Sequence, residues 1–260
     1  MHLSSFDRFL WAATFCGHIL LLLVLFARRR AGLFLTFTSC IVVNAATAIV
    51  LYFVLRHLSF TAYRNSYWSL GIVSEILQLF VFCELAVHVF CPTGVWARDV
   101  RRTFIGLVCS GCVVALLLTW LAHPTARLAI QTFILRSNFF SAALMSELFV
   151  GMVVLSATAG LPWKTHVARI AQGLGAYSLF CVAMDIVLNH IVLSQHALLY
   201  AELSHLRSLI YLACEAFWIV MLWQEAPAPL ELPESMRIQI YSLQKQVEYD
   251  LIRIRAWRRN

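Results

Sequence analysis

Residues 67–90 read YWSLGIVSEILQLFVFCELAVHVF, and this stretch decides the fold. It is long enough to cross a bilayer, because about 20 mostly apolar residues in an α-helix cover roughly 30 Å of hydrocarbon. It carries Glu75 and Glu84 but no lysine or arginine. An acid at the centre of such a helix costs roughly 2.5–3.5 kcal/mol on insertion scales, so both are expected to face protein or water rather than lipid.

The pattern repeats on either side. Apolar blocks at 9–27, 31–55, 103–122, 138–157, 167–189 and 203–223 bring the expected spans to seven, with Glu147, Asp185 and Glu215 in the last three. A chain of 260 residues that is 61% hydrophobic and 13% charged is excluded as a water-soluble domain. The expected fold is all-α: a transmembrane bundle over 1–223, a linker at 224–233 and a cytoplasmic amphipathic helix over 234–260. The stretch 126–135, bracketed by Arg127 and Arg136, reads as an amphipathic surface or re-entrant piece between spans four and five.

Basic residues orient the bundle. Arg28, Arg29 and Arg30 follow the first span, and positive residues stay on the cytoplasmic side, so the amino terminus is expected outside. On that choice lysine and arginine, the triple arginine included, divide 14 inside to 6 outside, or 8 to 6 without the tail. Residues 1–8 carry one acid and one base rather than a positive leader, so the first span reads as a retained helix, not a cleaved signal. The net charge of +7 fits this arrangement and anionic lipid. No basic block interleaved with aromatics points to nucleic acid.

Residues 224–233 (QEAPAPLELP) form a semi-extended spacer, since three prolines cannot continue a helix. Beyond it, Met236, Ile240, Leu243, Val247, Leu251 and Ile254 make one apolar stripe at helical spacing. Arg253, Arg255, Trp257, Arg258 and Arg259 close the tail. Such a helix suits the surface of the lipid bilayer, and equally a cytoplasmic or membrane protein partner or a second copy of the chain.

The polar residues inside the spans are the candidate site. On the expected orientation Glu75 and Asp185 lie in the outer third, Glu147 and Glu215 near the middle, and Glu84 towards the inner surface. Gln78 shares a helix face with Glu75, and His88 shares one with Glu84. Glu75 and Glu84 are nine apart, a turn of about 900°, so they point in nearly opposite directions and make span three the candidate centre of the bundle. Arg136 and Arg207, near the outer ends of spans five and seven, are placed to reach Glu75 and Asp185. Three accounts of the acids stay open: hydrogen-bonded glue between helices, the wall of a ligand pocket, and a path for protons or cations.

Other polar residues suggest no chemistry of their own. His2, His57, His123, His190, His196 and His205 cluster at outer ends without zinc-ligand spacing. His18 and His88 differ in depth, which argues against a bis-histidine haem, and His18 is expected to hydrogen-bond within the bundle. Cys109 and Cys112 lack the context of a redox pair; with Gly106, Ser110 and Gly111 they read as a small-residue packing face, as do Gly173 and Gly175. The eight cysteines are expected to be reduced. No catalytic constellation, metal site or cofactor is expected.

Span seven has no lysine for a retinal Schiff base, and the signature motifs of animal receptors and the histidines of ceramidase-type hydrolases are missing. The chain resembles instead a family of uncharacterised bacterial seven-helix inner-membrane proteins. The resemblance covers roughly residues 30 to 225 and rests on Tyr67–Trp68, Glu84 with Val89–Phe90–Cys91–Pro92, Trp163, His166, Gly173 and Gly175. It implies the span map, the choice of Glu84 as a site candidate and the cell inner membrane location of that family, and no activity. The leading expectation is a non-enzymatic sensor or membrane-complex subunit. The alternative is a proton- or cation-coupled transporter using the buried acids, and an intramembrane enzyme comes third.

Overall fold

The computed structural model describes residues 4–90, 98–121, 129–158, 166–190 and 197–225, which form seven α-helices and no strand. They are α1 (Ser5–Ala27), α2 (Leu35–His57), α3 (Phe60–Phe90), α4 (Arg98–Leu121), α5 (Ala129–Thr158), α6 (His166–His190) and α7 (Ala197–Trp223). All seven are long and apolar enough to cross a membrane, so the chain is a multi-pass helical bundle. Residues 226–260, including the expected tail helix with Arg253, Arg255, Trp257, Arg258 and Arg259, lie outside the described residues.

The helix ends follow from local chemistry. At the start of α1, the Ser4 hydroxyl accepts from the Asp7 amide and the Asp7 carboxylate accepts from the Ser4 amide, each at 3.0 Å, which satisfies two otherwise orphaned donors. After α1 the chain turns through Arg28, Arg29 and Arg30, and Arg29 takes a positive φ of 54°. That bend lets the Arg30 and Ala31 amides both donate to the Leu25 carbonyl, at 2.8 and 3.2 Å. The Arg30 guanidinium donates to the Leu222 carbonyl and, at 2.9 Å, to that of Gln224, satisfying acceptors at the end of α7. Arg28 lies over the Trp223 ring, 4.7 Å from its centroid. Two members of the arginine cluster therefore also tie α1 to α7.

Five helices close a ring in the order α1, α2, α3, α6, α7, with α7 returning to α1. Its core draws on all five, through Leu21 and Leu25, Phe37 and Ile41, Val81 and Leu85, Ile170, and Trp218 with Leu222. Trp218 anchors one side: its indole donates to the Ile170 carbonyl at 3.3 Å and meets the Phe37 ring edge-on at 5.3 Å. Close approach at this point needs glycine, because a Cβ on Gly173 would lie 2.2 Å from the Trp218 indole nitrogen. Gly175 does the same for Phe149 of α5, at 2.1 Å, so both glycines serve packing as expected.

Outside the ring, α5 packs on α3 and α6, and α4 packs on α5. This corrects three expectations. Span three is not the sole centre: α3 meets α2, α5 and α6, α6 meets α3, α5 and α7, and α5 and α6 are more deeply buried than α3. Polar residues on opposite faces of α3 reflect two separate polar environments, described below. Of the piece expected at 126–135, residues 129–135 are not separate, since α5 is continuous from Ala129 and carries Arg136 in its early turns; 126–128 lie outside the described residues. The small-residue face of α4 is also divided. Gly111 is buried against Leu144 and Glu147 of α5, whereas Gly106, Cys109 and Ser110 are exposed on the other side of the helix.

Candidate functional site

Two helices of the ring carry matched polar rows. On α7, Arg207, Tyr211 and Glu215 recur every four residues and so share one face; on α6, Tyr177, Cys181 and Asp185 do the same. The helices run antiparallel, as the Trp218–Ile170 contact at one end and the Arg207–Asp185 contact at the other require. The two rows therefore face each other along the inside of the ring.

At one end of the column, Arg207 donates to Asp185 Oδ1 at 3.3 Å. Tyr177 and Cys181 lie within interaction range of the same guanidinium. Glu75 joins from α3, with Arg207 and Asp185 as its charged neighbours. When the Asn138 amide is turned to satisfy both of its contacts, its nitrogen donates to Glu75 Oε1 at 3.1 Å and to the Ile134 carbonyl at 2.9 Å. One arginine thus serves two acids. The expected grouping of Glu75, Asp185 and Arg207 is observed, whereas Arg136 stands apart, with a buried Nε that has no hydrogen-bond partner.

Further along, the Tyr177 and Tyr211 rings meet edge-on with centroids 5.2 Å apart. The Tyr211 hydroxyl lies 3.0 Å from His18 Nε2 of α1, and His18 Nδ1 lies 3.5 Å from Glu215 Oε1. His18 and Glu215 are 4% and 1% exposed, and neither Glu215 oxygen has a hydrogen-bond partner. The carboxylate reaches this position because Gly17 has no side chain: a Cβ there would lie 2.3 Å from Glu215 Oε2. Beside Tyr211, the Ser74 hydroxyl donates to Asn44 Oδ1 at 2.7 Å, linking α3 to α2. A cavity of about 10 Å³ lies among Cys40, Asn44, Gln78, Tyr177, Tyr211 and Trp218. That is room for about one water.

The other two acids are elsewhere, so the five acids expected at successive depths do not share one column. Glu84 reaches across to the start of α2, where its oxygens accept from the Thr36 and Phe37 amides, each at 3.0 Å. The N-cap residue of α2, Phe34, offers no side-chain acceptor, so Glu84 does that work from another helix. His88 is exposed; its Nδ1 lies 2.8 Å from the Glu84 carbonyl and its ring 5.6 Å from that of Phe34. Glu147 is half-buried in the α4–α5 seam beside Gly111, away from the column. Near it, an apolar cavity of about 170 Å³ lies between α3, α4 and α5, lined by Phe82, Cys83, Phe104, Val108 and Leu148 among others.

The sequence reading singled out Glu215 but not its setting. Tyr211, Tyr177, Asn44 and Gly17 were missed, although the four-residue recurrence of polar groups on α6 and α7 was there to be read. Among the described residues, no group of three or more His, Cys, Asp or Glu side chains is placed to hold a metal ion. Comparison of the chain with family models, with curated proteins and with solved structures gives no match.

Proposed function

We propose that the chain is a non-enzymatic sensor or membrane-complex subunit, seated in a bacterial inner membrane with its amino terminus outside and its tail helix in the cytoplasm. The observation that supports this reading is the state of the interior. Polar groups from five helices engage one another and leave about 10 Å³ among them, too little for an organic solute. A network so filled suits a protein that changes state or holds partners. The Arg28–Arg30 cluster supports the orientation, and the stripe and basic end of 234–260 support a surface or partner role for the tail. The resemblance to uncharacterised bacterial seven-helix proteins is part of the same proposal; Glu84, Gly173 and Gly175, three of its residues, all occupy helix–helix contacts.

Co-purification in mild detergent tests this. A partner or second copy should be retained by the full chain and lost on deletion of 234–260. A strictly monomeric protein, indifferent to that deletion, sinks the reading.

One observation favours a second reading, a proton- or cation-coupled transporter: Glu215 is buried with no donor to either oxygen. Reconstituted vesicles should then show a flux under an imposed gradient that Glu215→Gln abolishes. Absence of flux under every gradient removes it.

A further inference from the structure

We propose that His18 and Glu215 form a buried proton-binding site, which holds one proton between imidazole and carboxylate. The case begins with burial. Glu215 is 1% exposed and both its oxygens lack a hydrogen-bond donor, while His18 is 4% exposed and its Nδ1, 3.5 Å from Oε1, likewise has no partner. An ionised carboxylate without a donor or counter-charge is the costliest group to keep inside a protein. A proton placed between these two groups removes that cost, held as a carboxyl on Glu215 that donates to Nδ1. The pair gains one proton from water and one positive charge, and no bond between heavy atoms changes.

The surroundings supply no substitute. Beside the pair are the Tyr211 hydroxyl of α7, itself flanked by Cys40 of α2 and Tyr177 of α6, and the backbone of Thr14 on α1, none of which is a cation. Arg207 is eight residues away on the same helix, about 12 Å along the axis, and is paired with Asp185. Space argues the same way. Gly17 already packs against the carboxylate, and the neighbouring cavity holds about 10 Å³, so a hydrated metal ion or organic cation does not fit. A proton needs no volume.

Tyr211 couples the site to the rest of the column. Its hydroxyl, 3.0 Å from His18 Nε2, donates when that nitrogen is bare and accepts when it is protonated. From the tautomer in which Nε2 is bare, gain of the proton puts a hydrogen on Nε2, reverses this hydrogen bond and alters the contact of α1 with α7. This names a ligand for the sensor reading and rests on that reading for its consequence, but not for the existence of the site.

The test is pH-difference infrared spectroscopy of the full chain in lipid nanodiscs, which reads proton binding whether or not a partner exists. A protonated-carboxyl band should shift on ¹³C-glutamate labelling and not on ¹³C-aspartate labelling. It should be lost in Glu215→Gln and kept in Glu84→Gln and Glu147→Gln. Tyr211→Phe, which keeps the ring, should move the pH midpoint of that band. If Glu215→Gln does not fold, the labelling and Tyr211→Phe results decide. No glutamate band, a band that survives Glu215→Gln, or a midpoint indifferent to Tyr211→Phe overturns the proposal. Loss of partner binding alone leaves these spectra unchanged and sinks only the sensor reading.

Discussion

The carboxylate of Glu84, near the end of α3, accepts the backbone amide of Phe37 in the first turn of α2 at 3.0 Å, and its other oxygen accepts that of Thr36. An acid in a span is usually read as a sign of transport or binding. Here it neutralises the exposed amides and positive dipole end of a neighbouring helix, which no residue of that helix does.

Glu84→Ala should therefore cost about 1–2 kcal/mol of stability, the range for loss of a helix cap. Glu84→Gln, which keeps one oxygen acceptor, should cost less. Unfolding in detergent, followed by circular dichroism, measures both. Equal stability of Glu84→Ala and the parent would mean the cap contributes nothing.

Gly173→Ala puts a methyl group 2.2 Å from the Trp218 indole nitrogen, so the ring or the helix must move. The expected loss is about 1–3 kcal/mol, as for other overpacked sites. A changed tryptophan emission should accompany it. Gly106→Ala is the control, since nothing lies within 4 Å of a Cβ there; it should fall within about 0.5 kcal/mol of the parent.

Asp185 and Arg207 should couple in a double-mutant cycle. Arg207→Gln leaves Asp185 and Glu75 without their shared cation, so it should destabilise more than Asp185→Asn. The double variant should recover part of the loss, with an interaction energy of roughly 0.5–3 kcal/mol. Strict additivity would show that the 3.3 Å contact carries no energy.

Gly17→Ala should collide with the Glu215 carboxylate, at a cost of about 1–3 kcal/mol. Glu215→Gln, which has the same shape, should not relieve the collision, whereas Glu215→Ala should. Thermal unfolding of the three single variants and the two double variants separates the steric effect from the charge. If Gly17→Ala is neutral alone, the close approach of α1 to α7 is not as described.

The seven helices were legible because length and apolarity are one-dimensional quantities, and the bilayer imposes both. Individual ends were less so. Residues 126–135 look like a separate piece because Arg127 and Arg136 interrupt the apolar run, yet α5 continues through Arg136. Burial explains the tolerance: Arg136 is half-buried against protein rather than set fully in lipid. The grouping of Glu75 with Asp185 and Arg207 followed from depth alone, since depth is set by position in the span. Depth also placed Glu147 beside Glu215, and there it misled, because α5 lies outside the ring and turns Glu147 towards α4.

What the sequence determined by itself is the number of helices, their apolar surfaces and which residues lie at which height. All of these depend only on the order of side chains along each rod. What the tertiary structure decided is the rotation of each rod and its neighbours. Glu84 became a cap, Glu147 a seam residue, and Glu215 the buried partner of His18 through contacts between segments up to 197 residues apart. Helical periodicity defines a face, but only packing against another helix says what that face meets.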